Sequence, residues 1–133
     1  MSKCTATFII VIVFIPIAVF SLAYYFTSFL KTDISEMISN VENIEKSVSD
    51  KTETGISAEE FVKVFNENWK KKSEKWCFFF DHESIHQIDF MRAELEAEVG
   101  AGEYNAARIT AARIKCAFEM LQVHDSLNVS NFF

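Results

Sequence analysis

Hydrophobic and polar positions divide the chain into two unlike stretches. From Cys4 to Leu30 no charged side chain occurs, and Phe8–Phe26 reads FIIVIVFIPIAVFSLAYYF. Coiled as a helix, about 20–25 such residues span roughly 30–38 Å, enough to cross a hydrocarbon core. A helix standing in water needs one polar face, and this stretch has none. Pro16 is compatible with a membrane helix, and Tyr24 and Tyr25 fall where amphipathic rings favour the interface. The competing reading is a cleaved signal peptide, with Ser21-Leu22-Ala23 as a small-x-small site. The apolar run continues past that site through Tyr24, Tyr25, Phe26, Phe29 and Leu30. A signal h-region is about 7–15 residues long, so the pattern favours a retained anchor. Lys3 precedes the run and Lys31 follows it, leaving only a slight basic bias between the ends. The short N-terminal flank then points to a signal anchor, N-terminus inside and the remainder exported.

Beyond the anchor the pattern is helical throughout. Ile34, Met37, Ile38, Val41, Ile44 and Val48 recur at three- and four-residue spacing, with Asp33, Glu36, Glu42, Glu45 and Lys46 between them. No Gly or Pro separates this segment from the anchor, so one helix can carry both. Gly55 breaks the pattern, and Ser57-Ala58-Glu59-Glu60 opens the next helix as a capping box, with Ile56 and Phe61 at the staple positions. That helix sets Phe61, Phe65, Trp69, Trp76 and Phe80 along one side. A third uses Ile85, Ile88, Met91, Leu95 and Val99 and ends at Gly100-Ala101-Gly102. The last helix has two apolar faces: Tyr104, Ala107, Ala111, Ile114, Phe118 and Leu121 on one, Ile109, Ala112, Cys116, Met120 and Val123 on the other. Only a narrow polar stripe of Arg108, Lys115, Glu119 and Gln122 remains, which predicts a central helix. Leu127, Val129, Phe132 and Phe133 are then expected to pack back onto the bundle. The fold class is all-α: a membrane anchor over 1–31, then a small bundle of about four helices over 32–133.

Composition narrows the function. At 133 residues there is material for one modest domain. The balance of 13 basic against 19 acidic side chains argues against a nucleic-acid partner. Three cysteines are too few for a disulfide scaffold. Cys77 and Cys116 could pair if the domain lies outside, but both sit among apolar residues, which favours free buried thiols that behave as small hydrophobes. Asn128-Val129-Ser130 matches a glycosylation acceptor, relevant only in a eukaryotic secretory route.

Two clusters could carry chemistry. His82-Glu83-Ser84-Ile85-His86 is a literal H-E-x-x-H, which on a helix projects His82 and His86 toward one zinc ion with Glu83 placed to activate water. A third ligand would have to come from Glu94, Glu96, Glu98, Glu103 or His124, none of them at a diagnostic spacing. The plainer reading is that Asp81 caps a helix whose first turn contains His82 and Glu83. Lys70, Lys71, Lys72 and Lys75, flanked by Trp69 and Trp76, form a basic cluster suited to anionic lipid headgroups. The plainer reading there is a solvated face beside two core tryptophans.

Between Trp69 and Glu83 the residues read W-x6-W-x2-F-x-D-H-E, through Trp76, Phe79, Asp81 and His82. With an N-terminal membrane segment before it and Asn131-Phe132-Phe133 at the end, the chain resembles a group of short single-pass membrane proteins of Gram-positive, often spore-forming bacteria. The group is classed as a domain of unknown function. The resemblance implies a membrane-attached helical domain without an assigned activity or cofactor. It also implies a polytopic membrane protein as partner, since such proteins are often encoded beside one. It carries no second histidine at the place of His86, which makes the zinc motif accidental.

The leading expectation is a non-enzymatic accessory or interaction module for another membrane protein. Trp69, Trp76, Phe79 and His82 would define its fold or form a partner groove. The alternatives are a small membrane-bound zinc hydrolase using His82, Glu83 and His86, and a sensor or lipid-surface module using the Lys70–Lys75 cluster.

Overall fold

The computed structural model describes the backbone of residues 3–50 and 57–130, with side chains as far as Val123. Gly55 and Ile56, the expected helix break and staple, lie outside the described residues, as do Phe132 and Phe133 and the Asn128 and Ser130 side chains. Four helices are described: α1 (Lys3–Ser49), α2 (Ala58–Trp76), α3 (His82–Gly100) and α4 (Tyr104–Ser130). The chain divides into two units, Met1–Thr32 and Asp33–Phe133.

The first unit is the apolar part of α1. Its large side chains from Phe8 to Phe26 are exposed and take no part in the core of the described residues. Among the described residues, α1 is the one helix long and apolar enough to cross a membrane. Pro16 sits within it. The hydroxyls of Thr7 and Thr27 donate to the carbonyls of Lys3 and Ala23, each at 2.9 Å. These local bonds leave no hydroxyl hydrogen unpaired on either side chain.

The second unit is a four-helix bundle, its first helix supplied by Asp33–Ser49 of α1. Ile34, Met37, Val41 and Ile44 are fully buried, at the three- and four-residue spacing that brings one helix face to a core. Val62, Phe65, Trp69 and Trp76 face them from α2. Ile85, Ile88, Met91, Leu95 and Val99 come from α3, and Ala107, Ala111, Ile114, Phe118 and Leu121 from α4. Phe118 organises the aromatic centre, with its ring 6.3 Å from Phe65, 5.8 Å from Trp69 and 5.9 Å from Trp76. Trp69 and Trp76 meet edge to face at 5.6 Å, the arrangement that ring quadrupoles favour.

Local chemistry sets the helix ends. Ser57 caps α2 by accepting from the Glu60 amide, and Asp81 caps α3 by accepting from the Ser84 amide at 2.7 Å. At the α3–α4 turn Gly102 takes φ 74°. There the Gly102 amide donates to the Val99 carbonyl at 3.1 Å and the Glu103 amide to the Glu98 carbonyl at 2.9 Å. This is a Schellman closure, which needs a residue that tolerates positive φ.

Four expectations are corrected. The last helix is not central. Its first face is buried apart from the half-exposed Tyr104, but Ile109, Ala112, Cys116, Met120 and Val123 all lie on the surface. One hydrophobic face is enough to hold a helix in a bundle of this size, and periodicity alone does not say which of two it will be. Leu127 and Val129 do not follow the helix but belong to it, because α4 continues to Ser130. Phe80 is not on the second helix but in the turn beyond it, because α2 ends at Trp76; Phe61 and Phe80 are half-buried, and Val62 takes a core position. Cys116 is exposed and Cys77 half-buried, both as free thiols.

Candidate functional site

Ion pairs tie the α1 part of the bundle to α2 and to α4. Lys72 of α2 reaches Asp33 at 3.0 Å and Glu36 at 2.6 Å, with Lys72 and Asp33 largely shielded from solvent. Burial alone would lower the Lys72 pKa. The hydrogen bonds to Glu36 and Asp33 outweigh it and hold the ammonium above its ordinary value. Lys115 of α4 meets Glu42 of α1 at 3.0 Å. That hydrogen bond pushes the Glu42 carboxyl below its usual range and the Lys115 ammonium above its own.

A polar seam joins α2 and α3. The Trp69 indole N–H donates to Asp89 Oδ1, and Arg92 Nε approaches the same oxygen at 3.9 Å. Arg92 Nη1 donates to Asn66 Oδ1 at 3.3 Å and to Glu96 Oε2 at 3.5 Å. Asn66, Trp69, Asp89 and Arg92 border an open cleft of about 310 Å³ that also touches Lys70 and Ser73. Asp89 and Arg92 are engaged with neighbours in the seam, an arrangement that locks α2 to α3. Trp76 has no equivalent lock: its Nε1 is buried without a hydrogen-bond partner.

The residues expected to carry function are distributed unevenly. Trp69 and Trp76 come together against Phe118. Phe79 is partly exposed in the turn after α2, and His82 is exposed at the start of α3, away from the aromatic core. His82, Glu83 and His86 are all on the surface. Asp81 caps their helix with both oxygens, Oδ1 taking the Ser84 amide and Oδ2 the Ser84 hydroxyl at 2.9 Å. Among the described residues no group of three or more His, Cys, Asp or Glu is placed to hold a metal ion. The His124 side chain lies outside the described residues. The lysine cluster is split, since Lys72 turns to Asp33 and Glu36 while Lys70, Lys71 and Lys75 stay exposed.

The outer surface of α4 carries an apolar stripe. Ile109 is 60% exposed, Met120 66% and Val123 57%, with Ala112 and Cys116 exposed between them. Successive positions are separated by three or four residues, so the stripe keeps to one side of the helix, opposite Ala107, Ala111 and Phe118. Arg108 and Arg113 border it, and Arg113 Nη1 contacts Glu94 of α3 at 3.5 Å. Phe78, 88% exposed, and Phe90, 75% exposed, are further apolar surface residues that sequence reasoning did not single out. The signal for Phe78 was its place off the Trp69–Trp76 side when the α2 pattern is continued into the turn.

One family model matches the chain over residues 24–132, described as a domain of unknown function (DUF4363). The chain belongs to that family. The DUF4363 match begins within the apolar stretch and takes in all but one residue of the second unit, so the bundle with its capped turns, ion pairs and outer stripe is the family's domain. Neither a curated protein nor a solved structure matches the chain.

Proposed function

We propose that this DUF4363 protein is a single-pass membrane protein whose bundle is a non-enzymatic accessory module, docking another membrane protein through the outer face of α4 and needing no cofactor. Residues 1–31 act as a signal anchor, with the N-terminus inside and the bundle on the outer face of the cell membrane. The observation that carries the docking role is the Ile109–Ala112–Cys116–Met120–Val123 stripe, which the bundle does not use for its own core. Contiguous apolar surface of this kind marks interaction sites. The small Ala112 and Cys116 at its middle let a partner helix approach closely, with Ile109 and Met120 as larger flanking anchors. Arg108 and Arg113 at the border suit a partner helix with acidic edges.

A photo-crosslinking side chain placed at Met120 in the full chain, in its native membrane, tests the reading. Capture of one membrane protein, absent when the same group replaces the exposed Lys63 of α2, is the expected result. Equal, unselective capture at both positions contradicts it.

A further inference from the structure

The turn between α2 and α3 carries Phe78 at 88% and Phe79 at 44% exposure, next to the exposed Lys71 and Lys75 in the last turns of α2. Phe78, at the tip of a tight turn, has nearly all of its ring outside the core, and in water such exposure is unfavourable. The place of the turn in the bundle explains it. Asp33 is the first residue of the second unit and stands three residues beyond Leu30, the last residue of the uncharged run. At about 1.5 Å of helix per residue, Asp33 is therefore tethered within roughly 5 Å of the end of that run. Lys72 bonds to Asp33 at 3.0 Å and to Glu36 at 2.6 Å, which fixes the C-terminal part of α2 beside those residues. α2 begins at Ala58, a short connection after Ser49, so it runs antiparallel to Asp33–Ser49. The turn at 77–80 thus lies beyond Lys72, at the end of the bundle where the chain enters from the apolar segment. The opposite end holds the α3–α4 turn at Ala101.

We propose that the Phe78–Phe79 turn inserts into the headgroup–acyl boundary of the bilayer that holds α1, with Lys71 and Lys75 against anionic headgroups. The proposal rests on the reading of residues 1–31 as a membrane anchor. It supplies a second, shallow contact that fixes which side of the bundle faces lipid. The backbone suits that environment. The Phe78 amide donates to the Lys75 carbonyl at 3.2 Å, and the Phe79 and Phe80 amides both donate to the Trp76 carbonyl at 2.9 Å. All three donors are paired inside the turn, so insertion strands none of them. Lysines one and two turns before the tip can keep their ammonium groups at the phosphate level while the rings go deeper.

The test uses the full chain, with Cys4, Cys77 and Cys116 replaced by serine, in vesicles of phosphatidylcholine with phosphatidylglycerol. Single spin labels at Ile12, Phe78 and Ala101 are read by relative accessibility to oxygen and to a water-soluble nickel chelate. Replacing Phe78 disturbs no core contact, because the side chain is 88% exposed. The expected result is hydrocarbon depth at Ile12, water at Ala101, and at Phe78 an oxygen-to-nickel ratio several-fold above that at Ala101. In phosphatidylcholine alone the ratio at Phe78 should fall. Phe78 reading like Ala101 while Ile12 reads hydrocarbon overturns the insertion and leaves the anchor standing. Water at Ile12 overturns both. Lipid depth at Phe78 and Ala101 alike overturns the turn as the specific contact. A ratio at Phe78 that ignores phosphatidylglycerol overturns the part given to Lys71 and Lys75.

Discussion

Trp69 and Trp76 stand two helical turns apart, pack against the same Phe118 ring and are buried to the same degree, yet their indole nitrogens differ. Trp69 donates to Asp89, whereas Trp76 Nε1 is buried without a partner. Removing the nitrogen should therefore have unequal consequences. Replacing either indole by phenylalanine leaves a cavity, but only Trp69→Phe also takes a donor from a carboxylate. A hydrogen bond to a charged group contributes about 1.5–3 kcal/mol, and Asp89 is partly exposed, so the low end applies. Trp69→Phe is expected to destabilise the bundle by about 1.5 kcal/mol more than Trp76→Phe, measured by urea unfolding in mild detergent. Equal losses would mean that the seam does not lock α2 to α3. The charged residues make a second prediction. The Lys72 pKa is raised above its ordinary 10.5, so its contribution is complete below that pH and is lost as pH rises through the folded-state value. The Glu42 pKa is lowered from 4.5, so its contribution is complete above that pH and is lost as pH falls through the folded-state value. Stability should decline on both sides of a plateau between them. Lys72→Gln should flatten the alkaline limb and Glu42→Gln the acid limb, as read from unfolding midpoints across pH. Limbs unchanged by these substitutions would remove the ion pairs from the account.

At the scale of single helices, much was legible from spacing. α3 shows it best: the five residues picked out by periodicity, Ile85, Ile88, Met91, Leu95 and Val99, are its buried residues. Its start at Asp81 and its end at Gly102 were legible because capping and positive φ restrict residue type. α4 shows where such reading stops. It has two faces of similar hydrophobicity, and choosing between them depends on partners distant in sequence. For the same reason Cys116 was expected inside and lies outside, and Lys72, grouped by sequence with its lysine neighbours, is bound to Asp33, 39 residues away. The neighbours Ala111 and Ala112 test the face assignment with one substitution. Ala111 is fully buried and Ala112 exposed. Ala111→Asp places an unpaired carboxylate in the core and should abolish cooperative unfolding. Ala112→Asp should shift stability by no more than about 0.5–1 kcal/mol, combining a surface change with the lower helix propensity of aspartate. Comparable damage from both would return α4 to the centre of the bundle.

As a whole, the molecule carries an apolar helix with exposed side chains and a DUF4363 bundle that completes its own core from four helix faces. Having used one apolar face of α4 for that core, the bundle retains another on its surface, and the proposed role as an accessory module follows from that surplus. The candidate site was legible in part. Both faces of α4 could be read from the sequence, while the exposure of the second became visible only once the first was packed. Ala112→Asp, which is expected to leave the fold intact, separates docking from stability. The most direct measurement is isolation of the full-length protein and its Ala112→Asp variant from native membranes in mild detergent, followed by mass spectrometry of what stays bound. Docking through α4 predicts a stoichiometric membrane protein with the natural chain and its loss with the variant. Recovery of the natural chain alone, or of the same partner in equal amount with both, would contradict it.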